Sequence, residues 1–202
     1  MSKVKICGLR SFEDIAAVNS AMPDYIGFVF AESRRRIDFE TATMLKNRLD
    51  GNIKAVGVFV NENAEIIIDL CNHGVIDMIQ LHGDEDGKYI ENLKNSCSCP
   101  VIKSVSVYDA IPAYPKNADF LLFDTLSTQR GGSGEAFQHE ILIGFNEKPY
   151  FIAGGLTVHN ISQAITMLQP YGVDTSSGVE TNGLKDPIKI HDFVKAVRTS
   201  TT

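Results

Sequence analysis

Lys3-Val4-Lys5-Ile6-Cys7-Gly8-Leu9-Arg10-Ser11-Phe12-Glu13-Asp14-Ile15-Ala16-Ala17-Val18 opens the chain and decides how the rest of it is read. Lys3–Cys7 is a short β-rich run, Gly8 supplies a turn, and Ser11-Phe12-Glu13-Asp14 reads as a capping box ahead of the helical apolar run that begins at Ile15. A strand that passes through a turn straight into a helix is the first half of a parallel strand–helix–strand unit. The glycine fingerprint of an open dinucleotide-binding sheet is missing, because Cys7 is followed by Gly8-Leu9-Arg10.

The same rhythm continues to the end of the chain. Strand candidates are Lys3–Cys7, Tyr25–Phe30, Lys54–Val60, Asp77–Leu81, Val101–Val105, Phe120–Asp124, Tyr150–Ala153 and Val173–Thr175. Each is rich in Val, Ile, Leu or Phe and is closed by a polar or glycine residue. Helical stretches lie between them. Thr157 precedes Ile161, Ala164, Ile165 and Leu168 at helical spacing, and Asp186-Pro187 opens a last helix over Ile188–Arg198. Between strands five and six, Pro112 and Pro115 leave room for only a short or broken helix. Eight strand–helix repeats predict an α/β fold, a (β/α)8 TIM barrel of eight parallel strands, with residues 1–202 forming one domain.

Bulk properties narrow the function. The 202 residues are 44% hydrophobic and 22% charged, with a net charge of -6. An acidic chain lacks the basic stripe that nucleic acid requires, so no nucleic-acid partner is expected. No apolar run approaches the roughly 20 residues that span a bilayer, so no membrane association is expected. The N-terminus enters a strand directly, without the pattern of a signal peptide. Four cysteines without a framework spacing fit a reducing cytoplasm. Cys97-Ser98-Cys99 lacks the spacing of a zinc site, while Cys71 and His73 read as packing and helix end, so no metal is expected. Composition leaves a monomer or a homodimer equally open.

Barrel active sites lie at the carboxyl ends of the strands. Those ends here are Cys7, Phe30 with Arg34-Arg35-Arg36, Asn61, His82-Gly83, Ser106, Asp124, Gly154-Gly155 and Ser176-Ser177-Gly178. Glycines let backbone N–H groups approach closely and serines add donors, so the last two ends together read as a site for a phosphorylated small molecule. Gly131-Gly132-Ser133-Gly134 lacks the Lys-Ser/Thr of a Walker loop and reads as part of a lid. Alternation in strand one sends Val4 and Ile6 outward and Lys5 and Cys7 inward. An inward lysine needs a carboxylate, with Asp174 and Glu180 as candidates, and its charge is expected to lower the Cys7 pKa. Asp124 shares a face with Leu122 and Phe120, an apolar setting that suits a general acid. His82 is a further acid–base group of lower rank, and Lys103 a candidate Schiff-base lysine.

Taken together, these residues resemble the phosphoribosylanthranilate isomerases of tryptophan biosynthesis. The resemblance spans the chain and rests on Lys5-Ile6-Cys7-Gly8, Gly27-Phe28-Val29-Phe30, Ser33-Arg34-Arg35, Val56-Gly57-Val58-Phe59-Val60-Asn61, Gln80-Leu81-His82-Gly83, Phe123-Asp124-Thr125, Gly131-Gly132-Ser133-Gly134, Ala153-Gly154-Gly155-Leu156 and Asp174-Thr175-Ser176-Ser177-Gly178-Val179-Glu180. It implies a single (β/α)8 barrel that carries out an Amadori rearrangement without metal or organic cofactor. Asp124 would be the general acid and Cys7 the general base. Arg35 would bind the anthranilate carboxylate, Gly154, Gly155, Ser176, Ser177 and Gly178 the phosphate, and Asp174 the sugar. Two departures stand out: the loop Ala31-Glu32-Ser33 is shorter than the commoner proline-containing form, and three arginines are adjacent. The competing readings are the aminoaldose–ketose isomerase of histidine biosynthesis, expected to carry an aspartate where this chain has Cys7, a Schiff-base aldolase using Lys103, and a phosphosugar-binding barrel without activity.

Overall fold

Backbone hydrogen bonding joins the eight strands edge to edge in chain order and closes the last onto the first. The computed structural model describes residues 1–124 and 139–200, so the glycine run at 131–134 lies outside the described residues. The strands are β1 (Lys3–Cys7), β2 (Tyr25–Val29), β3 (Lys54–Phe59), β4 (Met78–Leu81), β5 (Val101–Ser106), β6 (Phe120–Asp124), β7 (Tyr150–Ala153) and β8 (Gly172–Thr175). All are parallel to their neighbours. Several strand ends differ by a residue from those read in the sequence, because pairing and not composition ends a strand.

Helices α1 (Phe12–Ala21), α2 (Phe39–Lys46), α3 (Ala64–Asn72), α4 (Gly87–Ser96), α5 (Ile161–Leu168) and α6 (Pro187–Thr199) cover the barrel. The Ser11 capping box is formed: the Asp14 N–H donates to Ser11 Oγ at 3.2 Å and the Ser11 N–H to Asp14 Oδ2 at 3.3 Å. Asp186 accepts from the N–H groups of Ile188 and Lys189 ahead of Pro187, which starts α6. Residues 107–119 carry no helix, not even the short one expected. Ile111 and Tyr114 from that segment pack onto the outer core instead.

The period-2 alternation sorts side chains into two cores. Val4 and Ile6 of β1 are fully buried under the helices with the large outer cluster. Inside the barrel, Val56, Met78, Ile102, Leu122, Phe151 and Ala153 fill the middle. Tyr25, Phe120 and Tyr171 pack against them near the amino ends of the strands, with the two tyrosine hydroxyls 2.8 Å apart. At the opposite end of the barrel, charged and polar side chains such as Cys7, Gln80, His82, Asp124 and Asp174 join apolar ones such as Val29 and Val58.

Closure of the barrel is marked by one ion pair. Lys5 and Asp174 are register partners across the β1–β8 seam, and Lys5 Nζ donates to Asp174 Oδ1 at 3.0 Å. The lysine side chain is fully buried and the aspartate 10% exposed. Of the two carboxylates named for this lysine, Asp174 is the partner. Losing one member of a buried pair strands the other charge in a low dielectric. Lys5→Met is therefore expected to lower unfolding free energy by about 3–5 kcal/mol. Urea denaturation at pH 7 checks this, and an unchanged midpoint would mean that the seam does not depend on the pair.

Candidate active site

At the carboxyl ends of the strands a cavity of about 380 Å³ opens. Cys7, Arg35, Asp124, Gly154, Gly155, Asp174, Ser176, Ser177 and Gly178 all line it, joined by His82 and Gln80. Residues spread over more than 170 positions of sequence reach one space because each lies in the carboxyl-terminal half of a strand or follows one, and parallel strands put all those ends on one rim.

Cys7 is the last residue of β1, and room for its sulfur comes from β2. A Cβ on Gly27 would stand 2.7 Å from Cys7 Sγ, too close for any side chain. Around the thiol stand Lys5, Asp174 and Lys185. The expected lowering of its pKa is overturned. Burial pushes the Cys7 thiol above its ordinary value, and the charges of Lys5 and Lys185 pull it down without prevailing. Part of the Lys5 charge is already committed to Asp174. Burial acts on that carboxyl too, raising it against the pull of Lys5.

Asp124 ends β6 on the same rim. Its carboxylate is 24% exposed and lies 3.4 Å from His82 Nε2, so its surroundings are more polar than the strand pattern implied. The other ring nitrogen, Nδ1, is 3.1 Å from Gln80 Nε2. Gln80 is 1% exposed and its Oε1 has no hydrogen-bond partner among the described residues. In the amide orientation with Nε2 donating, His82 Nδ1 accepts, and a neutral ring then carries its proton on Nε2, toward Asp124.

The loops after β7 and β8 are bound to each other. Thr175 Oγ1 donates to the Leu156 carbonyl at 2.8 Å, and Gly178 packs so tightly on that carbonyl that a Cβ would overlap it. Gly154 and Gly155 both take positive φ, 89° and 64°. A 3-10 turn, Ser177–Val179, stands where the extra helix of a phosphate site is expected. Ser176 Oγ donates to the Cys7 carbonyl at 2.9 Å, tying this loop to β1.

Two residues of this region were not read as site residues in the sequence, Lys185 and Gln80. Lys185 Nζ donates to the Ser176 carbonyl at 2.9 Å and to Glu180 Oε1 at 2.9 Å. It gets there on a miniature ribbon, β9 (Glu180–Thr181) and β10 (Leu184–Lys185), turned by Asn182 and Gly183 with φ of 54° and 77°. That Asn-Gly pair is a hairpin signal legible in the sequence. Gln80 offered no such signal, since an inward glutamine on an apolar strand gains meaning only from its neighbours.

The arginines separate cleanly. Arg36 pairs with Glu32 on the surface at 2.8 Å, and Arg34 is 58% exposed. Only Arg35 of the three lines the cavity. Lys103 faces away from it: its Nζ donates to the Gly83 carbonyl at 2.6 Å and to Glu85 Oε2 at 3.1 Å, and it does not line the cavity. Among the described residues no lysine lines the cavity, so an aldolase-type Schiff base has no partner there.

Fold and cavity define the class first, an enzyme of the (β/α)8-barrel type with acid–base groups and glycine–serine loops on one rim. Residues 4–196 match the family model of N-(5'phosphoribosyl)anthranilate (PRA) isomerase. The chain is 51% identical over 199 residues to the N-(5'-phosphoribosyl)anthranilate isomerase of Endomicrobium trichonymphae, covering 98% of this chain and 99% of that protein. It is 45% identical over 210 residues to that of Lachnoclostridium phytofermentans, covering 96% of each. The crystal structure of the Thermotoga maritima enzyme superposes with a TM-score of 0.84 at 32% identity, over 98% of this chain and 100% of the other. Monomers generated from that dimeric enzyme give 0.83 at 30% identity over the same shares. A family structure in complex with reduced 1-(o-carboxyphenylamino)-1-deoxyribulose 5-phosphate gives 0.84 at 30% identity, again over 98% and 100%. The chain belongs to the N-(5'-phosphoribosyl)anthranilate isomerase family, and its activity is that of an isomerase in tryptophan biosynthesis.

Two outcomes follow from the Cys7 pocket. Gly27→Ala must push the sulfur aside, and turnover is expected to fall about a hundredfold, the scale of an ångström-sized misplacement in an active site. Circular dichroism would confirm that the fold persists. Alkylation of Cys7 by iodoacetamide, followed on its own peptide by mass spectrometry, is expected to climb with pH and to reach half its limiting rate above the ordinary thiol range. A half-rate below that range would show that the lysines, not burial, dominate.

Proposed function

We propose that Asp124 and Cys7 act as general acid and general base in the Amadori rearrangement of N-(5'-phosphoribosyl)anthranilate to 1-(2-carboxyphenylamino)-1-deoxyribulose 5-phosphate. The observation that carries this is one cavity lined by the strand-end thiol, the strand-end carboxyl and both glycine–serine loops. Asp124 gives a proton to the furanose ring oxygen as its bond to C1′ breaks, leaving a Schiff base between C1′ and the anthranilate nitrogen. The Cys7 thiolate takes the proton from C2′, which the Schiff base acidifies. The resulting enolamine tautomerises to the C2′ ketone. One proton is given and one is taken, and the product is an isomer of the substrate.

A thiol held protonated by burial is sparsely ionised at neutral pH, but its thiolate, once formed, is the stronger base. The positive charge that develops on the opened Schiff base falls beside it and favours ionisation at the moment it is needed. Gly154, Gly155, Ser176, Ser177 and Gly178 would hold the 5'-phosphate through backbone N–H and hydroxyl donors. Asp174 would meet the sugar hydroxyls and Arg35 the anthranilate carboxylate. His82, 3.4 Å from Asp124, is suited to steering that carboxyl. Residues 1–202 are proposed to act as one domain, as a monomer or homodimer. The four free cysteines favour the cytoplasm.

The test is loss of anthranilate-type fluorescence from freshly generated phosphoribosylanthranilate. Wild type is expected to turn over, and Cys7→Ser and Asp124→Asn to lose at least about a hundredfold in kcat, the scale of a general acid or base. Either variant retaining more than about a tenth of the wild-type rate would remove that residue from its role.

A further inference from the structure

Glu180 is a buried carboxylate with three cations upon it. Its side chain is 6% exposed. Oε1 accepts from Arg35 Nε at 2.8 Å and from Lys185 Nζ at 2.9 Å, and Oε2 from Arg35 Nη2 at 3.0 Å and Arg34 Nη2 at 2.8 Å. Burial opposes its charge, but the hydrogen bonds from Arg35 and Lys185 outweigh it and hold the carboxyl at about 2. Glu180 is thus an anion at every working pH, although it does not line the cavity.

What Glu180 grips is the guanidinium that does line it. The contact takes one edge of the fork, Nε with Nη2, and leaves Nη1 and the outer Nη2 hydrogen with no acceptor among the described residues. A planar guanidinium held along one edge has its opposite edge fixed in direction. The Arg35 stem packs closely on Gly8 as well, its Cδ only 2.4 Å from where a Cβ of Gly8 would stand. Arg34, which shares Oε2, is more than half exposed and remains outside.

We propose that Glu180 is a positioning residue that makes the site selective for carboxylate-bearing substrates, by presenting the free edge of Arg35 as a ready-made fork. The proposal rests on the carboxylate-binding role given to Arg35 above. A long side chain ordered during folding loses no rotamer freedom when the ligand arrives, so the restraint improves binding at the carboxylate end alone. Two other roles are physically open to the same contact. Glu180 serves only to fasten the β9–β10 ribbon through Lys185, or it competes with the substrate carboxylate for Arg35.

Affinities for two ligands separate these. One is reduced 1-(o-carboxyphenylamino)-1-deoxyribulose 5-phosphate and the other its phenylamino analogue without the carboxylate, titrated calorimetrically into wild type, Glu180→Gln, Arg35→Met and the double variant. Glu180→Gln is expected to weaken the carboxylate ligand at least about tenfold and to leave the carboxylate-free ligand within about twofold. In turnover, KM rises by a similar factor while kcat stays within about threefold. In the Arg35→Met background, Glu180→Gln is expected to add nothing beyond about twofold, since the two residues act as one unit. Equal weakening of both ligands would overturn the proposal in favour of the ribbon-fastening role. Tighter binding of the carboxylate ligand would overturn it in favour of competition. Wild-type turnover with Arg35→Met binding both ligands as wild type does would remove the role of Arg35 and this proposal with it. Wild type that neither turns over phosphoribosylanthranilate nor binds the carboxylate ligand would bring down the functional reading itself.

Discussion

The Lys5–Asp174 pair is the constraint on which the rest of the molecule leans. It sits where a barrel is most exposed to failure, at the seam between the first strand and the last, whose residues are 169 positions apart. A buried pair is no automatic source of stability, because desolvating two ions offsets most of their attraction. What it does provide is register. A one-residue slip of β1 on β8 would send Lys5 among the apolar side chains under the helices and Val4 or Ile6 into the barrel, so only one closure satisfies both charges. The same register sets Cys7 two residues further along the inner face of β1, above the ammonium, and sets Asp174 at the floor of the cavity.

From that arrangement follows the electrostatic character of the site. Two lysines stand near the thiol, and a simple count of charges would make it a thiolate. Each lysine is already engaged, Lys5 with Asp174 and Lys185 with Glu180 and the Ser176 carbonyl. Cations shared with carboxylates project little field, whereas desolvation acts on Cys7 in full. The rim therefore presents a neutral thiol, a partly exposed carboxyl 3.4 Å from a histidine ring nitrogen, and a fork-shaped cation. Such a site suits chemistry in which positive charge appears on the substrate during reaction.

The two ends of the barrel divide the work of folding and chemistry. At the amino ends, aromatic side chains close the interior, and Asp24 gathers Lys3 Nζ at 2.9 Å, the Val4 N–H at 2.9 Å and Arg198 Nη2 at 2.8 Å, joining β1 to the last helix. At the carboxyl ends the loops after β7 and β8 are hydrogen-bonded to each other and to β1, through Thr175 to the Leu156 carbonyl and Ser176 to the Cys7 carbonyl. Loops fixed to the scaffold and to one another hold their donors in place before any ligand arrives, which is the condition for electrostatic stabilisation.

Much of this was legible in the residues alone. Alternation in β1 placed Lys5 and Cys7 inward, the capping box at Ser11 and the Asp186-Pro187 start of α6 were formed as read, and the strand-end residues named as a site converge on one cavity. These features are local: a period of two, a cap or a strand end is settled within a few neighbouring residues. Other features were decided only in three dimensions. Which carboxylate would meet Lys5, that Glu180 would hold Arg35 and Lys185, that Lys103 would turn away to Glu85, and that burial would prevail over charge at Cys7 all depend on partners distant along the chain or on solvent excluded by the whole fold. A sequence carries the identity of each charge, but the field at a site is the sum over every neighbour the tertiary structure supplies, and that sum exists only once the barrel has closed.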